Sequence, residues 1–267
     1  MEEKDIQQLY LRSLISDLTG WNEPVQKLTR AFAQNEFVLY RQPILHLAAG
    51  GSAEAHVEVF VRLQEEERNL TPPGTFLPLL EHYNFGPKLD RYVMRRALVW
   101  KRRSAERAAC VLHINLCVGT LADAEFPQFA SSELRATGLS GDTVCFEIPD
   151  IGLAYEPEGV DVVRRLKAAG CRIALRLLEK DQISFQPMKD LAADVVKIGG
   201  SLTRDIVQEK AAAAKVRALA RACRAFNIRT VAQNIEDAAT LDMLKDLGVD
   251  FAQGYGIAKP VPLESSP

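Results

Sequence analysis

The second half of this chain alternates short β-branched segments with longer amphipathic segments, and no other feature restricts its fold as strongly. Residues 156–170, EPEGVDVVRRLKAAG, predict a helix that ends at Gly170, and RIAL at 172–175 predicts the strand that follows. The same order recurs twice, with helices predicted over 201–227 and 237–248 and strands over RTVAQ and DFAQGYG. Such alternation predicts a parallel sheet whose strands are joined by helical crossovers.

Further strand-like segments complete the pattern. They are FVLYRQPI, AHVEVFVRL, CVLHINL and TVCFEI in the first half, and Val195–Ile198 in the second. About eight strands in roughly 250 residues is the size of a TIM-like (β/α)8 barrel. Because no low-complexity linker divides the chain, we predict an α/β fold with one barrel domain over residues 23–267.

Residues 1–22 are predicted to form a separate helical extension. The segment DIQQLYLRSLISDL has apolar residues at helical spacing, and Gly20 and Pro24 separate it from the next helix. We expect this extra helix to pack on the barrel. The alternatives are a signalling or dimerising helix, or the end of a longer parent protein.

Charge and cysteine content exclude several classes of protein. A formal net charge of −2 gives no general attraction to DNA or to anionic membranes. No segment approaches the roughly 20 apolar residues of a membrane span, and the amino terminus MEEKDIQQLY is polar. The five scattered cysteines are expected to be buried, reduced thiols. We therefore predict a cytoplasmic protein without membrane insertion.

Polar residues recur at or near the predicted strand ends. They are Gln42, Glu58, Arg62, Asn115, Glu147, Arg176, Lys197, Gln233, Glu236 and Gln253. Amides and carboxylates inside apolar strands are costly unless they are paired or bind something. The set predicts one shared site for an anionic ligand with a phosphate group. A network of internal salt bridges at the barrel mouth is the alternative.

The order of these motifs resembles that of a known family. The motifs are YRQPI, EVFVRL, PPGTFLPLLEHYNFGPKLDRYVM, HINL, CFEIPD, DVVKI, AQNIED and FAQGYGIAKPVP. From about Leu28 to Pro262 the chain resembles the EAL-domain family of cyclic di-GMP phosphodiesterases and receptors. The resemblance implies a TIM-like barrel of EAL type whose first strand runs antiparallel to the others.

The resemblance also implies a two-metal site that this sequence departs from. Active members hold Mg²⁺ or Mn²⁺ through oxygen ligands, which include a pair of adjacent aspartates. Arg176 and Leu177 stand in place of that pair, and Gln233 replaces a glutamate. A guanidinium cannot ligate a metal and repels a dication. We therefore predict no metal, no cofactor and no hydrolysis. The remnants of the catalytic set are Glu58, Asn115, Glu147, Lys197 and Glu236.

Ligand binding is predicted separately from hydrolysis. The resemblance implies ligand contacts at Gln42, Phe60, Arg62, Phe76, Pro78, Asp90 and Pro260, to which we add Arg176 and Gln253. Arg62 can form two hydrogen bonds to a phosphate. Arg176 would supply the positive charge that metals otherwise bring, and would pair with Glu58 or Glu147 when no ligand is bound.

Three functional hypotheses follow. The first is a catalytically inactive EAL domain that binds cyclic di-GMP and signals through protein contacts. It resembles the degenerate EAL domains of type IV pilus and motility regulators, in which the nucleotide-bound barrel docks a PilZ-type adaptor. The second is an EAL-like interaction module without nucleotide binding, and the third is a residual phosphodiesterase. The oligomeric state stays open, with a homodimer among the options.

Overall fold

The computed structural model describes residues 21, 23–47, 54–64, 69–149, 156–177 and 185–263. Within these residues, eight strands close a barrel: β1 (Phe37–His46), β2 (His56–Gln64), β4 (Val111–Asn115), β5 (Val144–Ile148), β6 (Arg172–Leu177), β7 (Val195–Ile198), β8 (Arg229–Ala232) and β9 (Phe251–Ala252). Two short strands, β3 (Leu70–Thr71) and β10 (Val261–Pro262), pair with β2 and β1.

Strand β1 runs against both of its neighbours in the barrel. It pairs antiparallel with β2 on one side and with β9 on the other. From β2 through β4 to β9 the neighbouring strands are parallel. The predicted TIM-like barrel and its antiparallel first strand are therefore confirmed.

Helices surround the barrel. They are α1 (Pro24–Ala33), α2 (Pro73–His82), α3 (Gly86–Lys101), α4 (Ala105–Ala109), α5 (Phe126–Thr137), α6 (Pro157–Ala168), α7 (Gln186–Asp190), α8 (Gly200–Thr203), α9 (Lys210–Ala225) and α10 (Ala238–Leu247). Short 3-10 turns occupy Val118–Ala122 and Gly141–Thr143. Gly170, after α6, and Gly248, after α10, adopt positive φ angles of 83° and 81°. Both glycines end their helices as the sequence predicts.

The alternation of side chains along each strand divides apolar from polar residues inside the barrel. One layer of the interior is apolar and consists of Ile44, Val111, Cys145, Ala174, Val195, Val231 and Phe251. Two residues further along β5, β6 and β7, on the same inward face, lie Glu147, Arg176 and Lys197. The outer faces of the strands pack against the helices in a larger core. A polar site is thus held at the carboxyl ends of the strands, above an apolar floor.

The predicted single helix over 201–227 is wrong. The chain instead forms α8 and α9, separated by turns at residues 204–208. Thr203 Oγ1 lies 3.3 Å from the carbonyl oxygens of both Gly200 and Gln233, and Ile206 is 1% exposed. A side chain that bonds backbone carbonyls competes with helix formation, and burial of Ile206 holds the break in place.

Other predictions from the sequence are borne out, or lie beyond the described residues. All five cysteines are free and buried. No helix in the described ranges has the length and apolar character that spanning a membrane requires. Apart from Trp21, the predicted extension over 1–22 lies outside the described residues.

Candidate functional site

A buried ring of ion pairs lies at the carboxyl ends of the parallel strands. We call Glu58, Lys197, Glu147, Arg176 and Asn115 the ion-pair ring. Lys197 Nζ donates to Glu58 Oε2 at 2.6 Å and contacts Glu147 Oε2. Arg176 donates through Nε and a terminal nitrogen to Glu147 Oε1, at 2.9 and 2.6 Å. Asn115 closes the ring: its Oδ1 lies 3.3 Å from Arg176, and its Nδ2 donates to Glu58 Oε1 at 2.8 Å.

Burial and charge together determine the ionisation of the ring. Lys197 is 0% exposed, and Glu58 and Glu147 are each 1% exposed. Burial opposes charge on Glu147, but the cations Lys197 and Arg176 outweigh it and hold the pKa of Glu147 below its usual value. Burial likewise opposes charge on Lys197, but Glu147 and Glu58 raise the pKa of Lys197. The ring therefore contains two carboxylates and two cations whose charges cancel.

The carboxylates of the ion-pair ring are paired with the protein's own cations. Three of the four carboxylate oxygens of Glu58 and Glu147 accept a hydrogen bond from Asn115, Lys197 or Arg176. The fourth, Glu147 Oε2, forms an ion pair with Lys197 but accepts no hydrogen bond among the described residues. Across the described ranges, no cluster of three or more His, Cys, Asp or Glu residues is arranged to hold a metal ion. The internal salt-bridge network considered as an alternative is thus present, and it engages Glu58 and Glu147, two of the residues that the resemblance implies as metal ligands.

Two adjoining clefts lie at this end of the barrel, and the larger of the two, with a volume of about 340 Å³, opens beside the ring. Phe60, Asn115 and Arg176 line one side, while Leu77 on α2 and Val93 on α3 help to line the other. The side chain of Arg176 is 40% exposed, and one terminal guanidinium nitrogen makes no bond within the ring. Arg176 therefore presents a cation to this cleft while it stays anchored on Glu147.

Two carboxylates line the larger cleft beside the 3-10 turn. Asp90 Oδ2 accepts from the Cys117 backbone N–H at 2.7 Å and from Thr120 Oγ1 at 2.6 Å. Glu81 accepts from the backbone N–H groups of Val118 and Gly119 at 2.6 and 3.1 Å. Burial raises the pKa of Asp90 to about 7, although its hydrogen bonds act in the opposite direction. The cleft is therefore lined both by a cation, Arg176, and by the carboxyl groups of Glu81 and Asp90.

A smaller cleft of about 260 Å³ adjoins the larger one, and Phe60 and Gln233 line both. Gln42 and Gln253 supply amides to its wall, and Tyr255 lines it with 62% of its surface exposed. Gln42 is oriented by donating to the Ala258 carbonyl at 2.7 Å. Gln253 Nε2 is buried and has no hydrogen-bond partner among the described residues. The smaller cleft thus offers amide groups and an aromatic ring.

Close backbone packing fixes the position of Gln253. The backbone N–H of Ile235 donates to the Gln253 carbonyl at 3.0 Å. A Cβ atom on Gly254 would lie 2.1 Å from the Ile235 carbonyl oxygen. Only glycine permits this approach, and Gly254 lines the smaller cleft next to Gln253.

The structure brings most of the predicted site residues together. The clefts are lined by Gln42, Glu58, Phe60, Asp90, Asn115, Arg176, Glu236 and Gln253. Glu147 and Lys197 lie in the ion-pair ring, beside these residues. These ten predicted residues therefore lie together, as the strand-end argument expects.

Four predicted ligand contacts lie outside the described lining of both clefts. Arg62 donates to the Val61 carbonyl at 3.1 Å and lies over the Tyr40 ring. Phe76 is 0% exposed and packs against another core phenylalanine. Pro78 lies within α2, and Pro260 precedes β10. Their roles as ligand contacts stay predictions.

The sequence argument missed several lining residues. They include Glu81, Asn234 and Tyr255. Glu81 lies four residues after Leu77 on α2, so assigning that helix would have placed Glu81 on the same face as Leu77, which belongs to the predicted segment 76–78. Asn234 has a positive φ angle of 59°, a backbone state that asparagine adopts more readily than most residues, so its identity was a signal for a turn after β8.

Comparison with known proteins identifies a family. The protein-family model described as "EAL domain" matches residues 25–260 of this chain. The chain is 28% identical over 242 residues to the cyclic di-GMP phosphodiesterase PdeB of Shewanella oneidensis, covering 90% of this chain and 28% of that protein. It is 26% identical over 257 residues to the cyclic di-GMP phosphodiesterase PdeF of Escherichia coli, covering 96% and 34%. The chain thus spans about a third or less of the length of these relatives.

Solved structures share the same barrel. The FimX EAL domain from Pseudomonas aeruginosa bound to c-di-GMP matches with a TM-score of 0.83 at 22% identity, covering 91% of this chain and 98% of that chain. The PaMucR phosphodiesterase in complex with c-di-GMP matches with a TM-score of 0.79 at 23% identity, covering 90% and 98%. At these identities the likeness establishes a shared fold.

Proposed function

This chain belongs to the EAL-domain family, and from that membership we propose that it is a cyclic di-GMP receptor that does not hydrolyse its ligand. One observation carries the proposal: Arg176 closes the ion-pair ring where the resemblance implies the metal-bridging aspartates. The proposal therefore separates binding from hydrolysis. The clefts are open to a ligand, whereas the acids that would hold metal ions are paired with Lys197 and Arg176.

The two clefts support binding of a cyclic dinucleotide. The free edge of Arg176 can donate hydrogen bonds to a phosphate oxygen, a charge-assisted contact. Asp90 can accept from the N–H groups of a guanine, whose N2 amino group is a donor. Since Phe60 and Gln233 line both clefts, one ligand with two bases can occupy both.

The ion-pair ring argues against hydrolysis. Two-metal catalysis requires two cations that hold the attacking water and the phosphate oxygens together. In this chain Leu177 and Gly199, which stand where the resemblance implies aspartates, offer no side-chain oxygen, and the Gln233 amide carries no charge. A dication placed beside Arg176 would be repelled rather than held.

Binding and turnover measurements test this proposal directly. In EDTA, isothermal titration is expected to give micromolar or tighter affinity for cyclic di-GMP, within about threefold of the value in Mg²⁺. Chromatography after incubation with Mg²⁺ or Mn²⁺ is expected to show no linear dinucleotide. Steady turnover would refute the inactive assignment. Absence of binding in EDTA would favour the module without nucleotide binding.

We propose further that the output of this receptor passes through protein contacts. A PilZ-type adaptor, of the kind that serves type IV pilus and motility regulators, is the partner that the resemblance suggests. The proposal includes no metal or other cofactor.

The second candidate function is an interaction module without nucleotide binding. One observation favours it: the ion-pair ring is charge-balanced by the protein's own side chains. The fold therefore needs neither a metal nor a nucleotide to neutralise the acids at its centre.

The titration of Asp90 should make the binding of cyclic di-GMP depend on pH. Its pKa is raised to about 7, so the carboxylate that accepts from guanine is lost as the pH falls through 7. We expect the affinity for cyclic di-GMP to fall by up to about tenfold between pH 7.5 and pH 6. Titration calorimetry across this range measures the effect.

The Asp90→Asn variant is the control. It can keep the bonds from Cys117 and Thr120 through its amide oxygen but cannot titrate. Its affinity for cyclic di-GMP should be lower than that of the wild type and should be independent of pH between 6 and 7.5. If the variant kept the pH dependence of the wild type, the titration would belong to another group.

A further inference from the structure

Helix α9 carries a row of cations on its outward face. Four of its basic residues follow one another at spacings of seven, four and three, which places them on one side of a helix. All four are exposed, while Val216 and Leu219 on the opposite side are buried. We call the row the basic face of α9; it consists of Lys210, Arg217, Arg221 and Arg224.

The charge of the basic face is not offset nearby. No Asp or Glu occurs in the sequence between Glu209 and Glu236, although the whole chain has a net charge of −2. In the ranges that the structure describes, Lys210, Arg217 and Arg221 make no ion pair, and Arg224 donates to a backbone carbonyl.

Several surface arginines elsewhere are offset by acids. Arg91, Arg95, Arg172 and Arg229 form ion pairs, with N–O distances of 2.5, 2.8, 2.7 and 3.0 Å. Single arginines that are unpaired among the described residues, such as Arg164, also occur, but the basic face of α9 groups four cations on one side of a helix. Such uncompensated charge attracts an acidic surface.

Small side chains beside the basic face leave room for a second helix. Exposed alanines flank the cations, namely Ala211, Ala214, Ala218 and Ala225. Short side chains let a second helix approach closely, since the distance between packed helices depends on the side chains at the contact. Long cationic side chains beside that groove can then reach acids on the approaching helix.

We propose that the basic face of α9 docks an acidic helix of a partner protein. Within the helix, no exposed aromatic or large aliphatic side chain is available to stack on nucleic-acid bases or enter a bilayer. Phe226, which follows the helix and is 42% exposed, lies against Phe185 and the Lys189 ammonium. A second copy of this chain, joined through the same face, would place cations against cations. Charge and shape together select an acidic helix.

A designed peptide tests this assignment. The probe is a fluorescein-labelled, alanine-rich helical peptide with glutamates at spacings of seven, four and three; its counterpart has glutamine at those positions. By anisotropy at low salt, we expect the glutamate peptide to bind at least about tenfold more tightly than the glutamine peptide. Binding should weaken as added salt shortens the screening length.

Charge reversal separates this face from general electrostatics. Arg217→Glu with Arg221→Glu is expected to lower peptide affinity at least about tenfold, because two attractions become repulsions. The control, Arg135→Glu with Arg164→Glu, changes net charge equally on α5 and α6 and should cost less than about threefold. Unchanged thermal unfolding shows that each variant remains folded.

Other outcomes would overturn the proposal. Equal losses in both double variants would mean that net charge alone attracts the peptide. Tighter binding to vesicles with phosphatidylserine, or to an oligothymidine, would assign the face to a membrane or to nucleic acid. Failure of the glutamate peptide to bind would leave the face without the proposed function.

Discussion

Replacing Lys197 with methionine is expected to lower the free energy of unfolding by about 3–5 kcal/mol. Lys197 is 0% exposed and contacts both Glu58 and Glu147. Its removal leaves two buried carboxylates with the guanidinium of Arg176 as the remaining cation of the ring. Urea unfolding followed by circular dichroism measures the change, since the midpoint shifts with stability.

Two further variants test whether the loss of stability comes from leaving buried charges unpaired. Lys245→Met removes the exposed pair with Asp242 and should cost less than about 1 kcal/mol. Combining Lys197→Met with Glu58→Gln and Glu147→Gln removes the buried charges together and should recover part of the loss. If Lys197→Met cost no more than Lys245→Met, the ring would not be a buried ion-paired unit.

Replacing Arg176 with alanine is expected to lower the affinity for cyclic di-GMP by about 10- to 100-fold. The variant loses the cation of the larger cleft and leaves Glu147 Oε1 without its guanidinium partner. A phosphate would then face an uncompensated carboxylate. Isothermal titration in EDTA measures the loss.

The matched control is Arg164→Ala, which removes an exposed arginine on α6 and should leave the affinity unchanged. Hydrolysis should stay absent from Arg176→Ala in Mg²⁺ or Mn²⁺, because Leu177 and Gln233 still lack charged oxygens. Wild-type affinity in the alanine variant would show that Arg176 does not hold the phosphate.

The sequence predicts the barrel well because its elements are short and locally encoded. β-branched alternation places β7 at Val195–Ile198, the bounds that the structure shows. The division of residues 201–227 into α8 and α9 is not visible locally. It depends on Thr203 bonding to Gln233, which is distant in sequence, and on the burial of Ile206.

The candidate site, too, depends partly on contacts between residues that are distant in sequence. Strand-end positions predict that Glu58, Glu147 and Arg176 meet, because the ends of parallel strands share one edge. They do not predict that Lys197 bridges both acids, which depends on the curvature of the closed barrel. Lining residues from α2, such as Glu81, depend on how that helix packs over β2.

If the proposed ligand binds both clefts that share Phe60 and Gln233, binding is bivalent. Once one base were bound, the covalent ring of the ligand would hold the other base near the second cleft at a high effective concentration. A guanine mononucleotide, which can fill only one cleft, should then compete poorly. Selectivity would arise from the spacing of two modest clefts rather than from one tight pocket.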